Sequence, residues 1–171
     1  ISSQAKLHQP YGGVVPELAA REHIANLPLL FQEALQQAGI SVSDLTVLAV
    51  TQGPGLKGSL LAGGSFAKAF ALGSGLPLLA LNHLEGHLLA GELLPPTERP
   101  EYPLLALLVS GGHTMLISSE SFRNYQVVAQ TRDDAAGEAF DKIASLLDLG
   151  YPGGPALSRA AEAGKAGSFR F

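Results

Sequence analysis

The 171-residue chain contains no cysteine. A disulfide framework is thereby excluded, and so is any thiolate metal ligand, which leaves imidazole and carboxylate as the side chains able to hold a metal ion. Long hydrophobic runs are missing too. The longest apolar stretches, 76–81 and 104–109, are strand-sized and far short of the roughly 20 residues a membrane helix needs. No charged-then-apolar leader opens the chain, so the cytoplasm is the expected compartment. Positive charge is scarce: 11 Lys and Arg against 15 Asp and Glu give a formal net charge of −4, which argues against a broad nucleic-acid surface made by this chain alone. There is no repeat at a fixed period, which excludes a solenoid, and no evident Ser-His-Asp or Cys-His constellation for nucleophilic catalysis.

What is present is a chain that is 46% hydrophobic with a mean hydropathy of +0.21, long enough to bury a real core. Strands and helices alternate along it. Residues 17–37 read as a helix that Pro28 kinks or breaks and Gly39 stops, followed by an apolar, β-branched strand over 45–51. Next, 58–72 reads as a helix whose small residues allow close packing on a sheet, and 77–81 as a buried parallel strand. The stretch 94–100, Leu-Pro-Pro-Thr-Glu-Arg-Pro, is the one linker-like segment and the expected boundary between a first lobe, 1–101, and a second, 102–171. Beyond it come a strand over 104–109, a return strand over 114–118, a strand over 126–130, a helix over 134–149 and a last helix over 157–163. Ile1 stands where an initiator methionine would, and Ser168-Phe169-Arg170-Phe171 shows neither a helix end nor a charged tail. The chain is therefore read as part of something longer.

The pentapeptide His83-Leu84-Glu85-Gly86-His87 is the most specific chemical feature. Imidazoles four residues apart fall on one face of a helix and can close on a single metal ion. Taken alone, the same spacing also fits a plain helix with one histidine capping and the other in the core. Glu85 decides which metal chemistry is open. In an HExxH zinc-protease helix the glutamate directly follows the first histidine, whereas Glu85 follows by two. That turns it about 200° from the imidazoles and removes the general base of a metalloprotease. Two histidines leave a catalytic metal short of its usual three protein ligands, so the third must come from elsewhere.

Two glycine-rich turns follow strands in the geometry in which free N–H groups collect an anion. Gly53-Pro54-Gly55-Leu56-Lys57-Gly58-Ser59 is not a Walker A loop, because Ser59 stands where its lysine belongs and Lys57 lies on the wrong side. A tight strand-to-helix turn accounts for it equally well. Ser110-Gly111-Gly112-His113-Thr114 offers hydroxyls and unhindered amides together and is the better phosphate candidate. In 133–142, Asp134, Glu138 and Asp141 are spaced to share one helix face, repelling one another by on the order of a few tenths of a kcal/mol per pair. Phe140, Ile143, Ala144 and Leu147 would then face the core. The carboxylates fit either a solvated acidic face or a site for the hydroxyls of a ribose-like ligand.

Several motifs in order, His8-Gln9-Pro10-Tyr11-Gly12-Gly13-Val14-Val15-Pro16-Glu17-Leu18-Ala19, Gly53-Pro54-Gly55-Leu56, Asn82-His83-Leu84-Glu85-Gly86-His87, Leu108-Val109-Ser110-Gly111-Gly112-His113-Thr114, the acidic segment and Tyr151-Pro152-Gly153-Gly154-Pro155, resemble the tRNA threonylcarbamoyladenosine transferase (TsaD) family, once called O-sialoglycoprotein endopeptidase. The resemblance implies an α/β fold of the actin-like, sugar-kinase and heat-shock ATPase (ASKHA) type, two-lobed with nucleotide between the lobes. It implies transfer of a threonylcarbamoyl group from threonylcarbamoyl-adenylate to N6 of the adenosine beside the anticodon, in tRNAs reading codons that begin with A. Carried over by position, His83 and His87 would bind one Fe2+ or Zn2+ ion. Leu108, Val109, Ser110, Gly111 and Gly112 would hold the adenylate, with Asp141 and Gly154 at its ribose and base side. Expected partners are tRNA, a smaller paralogous (TsaB-like) subunit and a P-loop ATPase (TsaE-like). On the same resemblance an N-terminal strand, a nucleotide-binding asparagine and an aspartate that is the third metal ligand lie outside this sequence, so the chain alone is expected to be a poor enzyme. The alternatives are a non-catalytic paralogous scaffold, against which the histidine pair speaks, and an actin-like kinase, which calls for an aspartate base and carboxylate-held Mg2+.

Overall fold

The computed structural model describes residues 3–165, 167 and 168. Positions 1, 2, 166 and 169–171, which include both chain ends singled out above, lie outside the described residues. The chain divides into two compact units, one over Val14–Arg99 with the stretch up to Ala5, the other over Lys6–Gly13 and from Pro100 onward. Among the described residues no helix is long and apolar enough to cross a membrane.

A short helix, α1 (Ala5–His8), runs into a 3-10 turn over Gln9–Tyr11 that closes on Gly12, whose φ of 69° suits glycine. In the first unit, α2 spans Pro16–Ala38. Proline sits in its first turn, where no N–H is needed, and Glu17 faces the positive end of the helix dipole. Gly39, at φ 66°, ends it: Gly39 N–H donates to Gln36 O and Ile40 N–H to Leu35 O, each at 3.1 Å. Pro28 lies inside α2 and does not break it. One turn past the proline, Phe31 packs on Phe66 and Phe70 with ring centroids 5.9 and 4.6 Å away, contacts that tie the half of α2 beyond the proline to the neighbouring helix. That helix, α3 (Lys57–Ser74), comes close enough that a Cβ on Gly58 would lie 3.1 Å from Ala20 Cβ.

Strand β1 covers Leu48–Gly53, three residues later than its β-branched run. Residues 45–47 carry no regular element and follow a 3-10 turn over Val42–Asp44, in which Asp44 Oδ2 accepts from Ser41 N–H at 2.8 Å and Ser41 Oγ at 2.7 Å. The serine hydroxyl first, then its amide, hold the Asp44 carboxyl below its ordinary value. β2 (Leu78–Asn82) pairs with β1 in parallel, from Leu48 opposite Leu78 to Gly53 opposite Asn82. The parallel pairing agrees with the sequence reading; the expected burial does not. Leu79 and Leu81 are about half exposed, because α3 packs chiefly on β1 and β2 forms the edge of a two-stranded sheet.

The second unit is an antiparallel meander, β3 (Leu104–Val109), β4 (Thr114–Ser121) and β5 (Asn124–Gln130), in that spatial order. Leu108 opposite Met115, with Ile117 and Ser119 farther along β4, forms its buried face. Helices α5 (Ala136–Leu146) and α6 (Gly153–Glu162) follow and pack on each other. α5 is shorter at both ends than the pattern predicts. At its start, Thr131 Oγ1 donates to Asp134 O at 2.8 Å and holds the acidic pair in a turn. At its end, Asp148 and Gly150 adopt φ of 54° and 85°. Ala144 is fully buried as expected, whereas Phe140, Ile143 and Leu147 are 43%, 45% and 59% exposed, so that side of α5 is left uncovered by the described residues of this unit.

Candidate functional site

Asn82, the last residue of β2, turns the strand into the histidine helix. Its Oδ1 accepts from Leu84 N–H at 2.9 Å and Glu85 N–H at 3.3 Å, satisfying two donors that a helix start leaves unpaired. The cap fixes the first turn of α4 (His83–Leu88), so that His83 opens the helix and His87 stands one turn on. Both side chains are exposed, their ring centroids are 4.5 Å apart, and Nε2 of one lies 3.1 Å from Nε2 of the other. Two imidazole nitrogens bound at their usual 2.0–2.1 Å and separated by that distance would subtend about 98° at a metal ion, between octahedral and tetrahedral values. The pair therefore fits a chelate without a change of rotamer. Among the described residues no group of three or more His, Cys, Asp or Glu could hold a metal ion.

The first glycine-rich turn serves packing. Gly58 lets α3 approach Ala20, and a Cβ on Gly55 would rest on Leu60 at 3.5 Å. The second turn is different. Ser110 Oγ donates to His113 O at 3.1 Å and accepts from His113 N–H at 2.9 Å, while Ser110 N–H donates to His113 O at 2.8 Å. Thr114 Oγ1 accepts from Ala136 N–H at 2.8 Å. The hydroxyls expected to face a ligand are thus committed within the protein. The amides are not: Gly111 and Gly112 N–H have no partner among the described residues, and a Cβ on either would meet nothing within 4 Å. Neither glycine has a positive φ, so here the missing side chain supplies access and not backbone freedom. Leu108 is buried, leaving only its backbone for a ligand, whereas the Val109 side chain is exposed.

The three carboxylates do not share a repelling face. Asp134 precedes α5, and Lys142 lies 2.6 Å from Asp134 and 3.1 Å from Glu138. These two, Asp134 foremost, hold the Lys142 ammonium above its ordinary value. Asp141 is set apart. It is half-buried, and its Oδ1 accepts from Gly153 N–H at 2.8 Å, which anchors the start of α6 four residues before the sequence pattern places it. Gly153 is required for this approach, because a Cβ there would lie 2.5 Å from Asp141 Cα and 2.8 Å from Phe140 O. Gly154 is next to it with open space around its α-carbon. Asp141→Ala removes the acceptor from the first amide of α6, and the expected loss is about 1 kcal/mol, read as a Tm lower by about 2–8 °C. An unchanged Tm contradicts the anchoring role.

Sequence reasoning gave no role to Asn82, Gly137 or Gly153, and it turned the Thr114 hydroxyl toward a ligand where it instead holds the start of α5. A glycine in the first turn of a helix, where a better helix former is ordinarily chosen, is the signal that could have pointed to Gly137 and Gly153.

A parallel β-α-β unit handing over to a two-histidine helix, and an antiparallel meander with an open glycine turn, define a mixed α/β protein. The chain belongs to the tRNA N6-adenosine threonylcarbamoyltransferase (TsaD) family, whose model matches residues 1–171. Proteins of that name are similar throughout: 57% identity to the one from Desulfitobacterium hafniense (strain Y51) over 171 residues, which is 100% of this chain and 50% of the relative. The Bordetella avium (strain 197N) protein is 55% identical over 99% of this chain and 48% of its own length. The Kosmotoga olearia protein is 53% identical over 96% and 49%. The chain thus spans about half the length of the curated relatives it matches. One parallel and one antiparallel sheet in a mixed α/β chain agree with the ASKHA fold class of the family.

Proposed function

We propose that this chain carries the metal-chelating histidines and the adenylate-binding turn of an enzyme that makes N6-threonylcarbamoyladenosine in tRNA. The observation that carries the reading is the His83–His87 pair, with Nε2 atoms 3.1 Å apart on a capped helix. The family match supports transfer of threonylcarbamoyl to N6 of a tRNA adenosine; the donor would be the adenylate and the acceptor the adenosine beside the anticodon, in tRNAs reading codons that begin with A. An iron or zinc ion, when bound, would supply Lewis acidity for the transfer. His83 and His87 would hold that ion, through neutral imidazoles, while Gly86 between them keeps the helix surface low.

Gly111 and Gly112 would meet the adenylate phosphate with their two unpartnered amides. With Oδ1 of Asp141 taken by Gly153, Oδ2 has no partner among the described residues and is the atom available to ribose hydroxyls; Gly154, beside it, leaves room for the nucleoside. Acyl transfer of this kind needs no protein nucleophile, in keeping with the sequence. The working assembly would comprise tRNA, a smaller paralogous subunit and a P-loop ATPase, in the cytoplasm.

The test is a transfer assay on the full-length gene product with those two proteins, threonylcarbamoyl-adenylate and unmodified tRNA. Mass spectrometry of the digested tRNA is expected to show threonylcarbamoyladenosine. Its absence from the complete mixture contradicts the reading.

A further inference from the structure

Behind the glycine turn, the start of α5 is committed to holding it. Ala136 N–H donates to Thr114 Oγ1 at 2.8 Å and Gly137 N–H to Ser110 O at 3.1 Å. These are the first two amides of the helix, the donors an anion would ordinarily take at a helix start. Used inward, they bind the two ends of the turn, Ser110 and Thr114, to one rigid element. The approach is as tight as backbone allows. A Cβ on Gly137 would lie 2.8 Å from Gly111 Cα and Ser110 O and 2.9 Å from Gly111 N, all main-chain atoms with no side-chain freedom to move aside. Ala135, which precedes the helix, is 2% exposed, so α5 cannot slide outward without opening the core.

We infer that Thr114 and Gly137 are positioning residues for nucleotide binding: together they clamp the turn so that the Gly111 and Gly112 amides stand ready for a phosphate, without touching the nucleotide themselves. The inference rests on the adenylate reading above. Thr114 contributes an acceptor, and Gly137 contributes the absence of a side chain. Replacing either lets the turn move relative to α5 and misaligns two amides whose value lies in being fixed in advance.

The experiment compares AMP with adenosine, by calorimetry on the full-length protein, for wild type, Thr114→Val, Thr114→Ser and Gly137→Ala. Thr114→Val keeps the shape and deletes the acceptor; AMP affinity is expected to fall about tenfold while adenosine affinity stays within about twofold. Thr114→Ser retains the oxygen and restores AMP binding. Gly137→Ala is expected to weaken AMP by at least as much as Thr114→Val, and should it fail to fold, the threonine pair decides. An AMP-to-adenosine ratio unchanged in Thr114→Val overturns the clamp, as does an equal loss for both ligands, or a serine variant that behaves like valine. A wild-type protein that binds adenosine as tightly as AMP overturns the adenylate reading itself, and the clamp with it.

Discussion

His83→Ala in the full-length protein is expected to strip most of the bound metal and to abolish threonylcarbamoyl transfer while leaving the fold intact. The imidazole is one of a facing pair whose nitrogens are 3.1 Å apart. Even groups that only orient a metal ligand are worth about 10–100-fold in affinity, so deleting the ligand itself should cost at least about a hundredfold. Stability should barely change, because the side chain is exposed and the cap that starts α4 comes from Asn82. His87→Ala should match it. Metal content by elemental analysis and Tm together check this: undiminished metal removes the pair from the site, and a collapse in Tm shows a structural role in its place.

Gly111→Val carries the second large effect. The turn presents two adjacent amides without partners among the described residues and open space above the α-carbons. A β-branched side chain fills that space and shields both donors from an anion. Hydrogen bonds to a charged group are worth about 1.5–3 kcal/mol each, so losing two predicts a fall in AMP affinity of about a hundredfold or more. Since Gly111 has no positive φ and its Cβ would meet nothing within 4 Å, the variant should fold as well as wild type. Metal content should be normal. Calorimetry giving an unchanged AMP affinity would place the nucleotide elsewhere.

Local patterns carried the elements and lost their edges. Leu104–Val109 is found where six consecutive apolar residues predict it, and the facing of His83 and His87 follows from an i,i+4 spacing whose geometry is the same in any helix. Helix starts were misplaced where the groups that fix them are distant in sequence. α5 begins on an acceptor 22 residues before it, Thr114 Oγ1, and α6 on one 12 residues before it, Asp141 Oδ1. No window of neighbouring residues contains either bond. The acidic segment differs for a local reason: carboxylate spacing alone predicts three repelling groups, whereas Lys142, four residues from Glu138 and eight from Asp134, gathers both. Glycines were legible as turns but not as points of contact, because the partners of Gly137 and Gly153 are backbone atoms elsewhere in the fold.

Anomalous diffraction from crystals of the full-length protein, recorded on either side of the iron and zinc absorption edges, tests the central claim most directly. The account predicts one ion bonded to Nε2 of both His83 and His87 at about 2.0–2.1 Å. An anomalous peak bound at other residues, with His83 and His87 free of it, would contradict it.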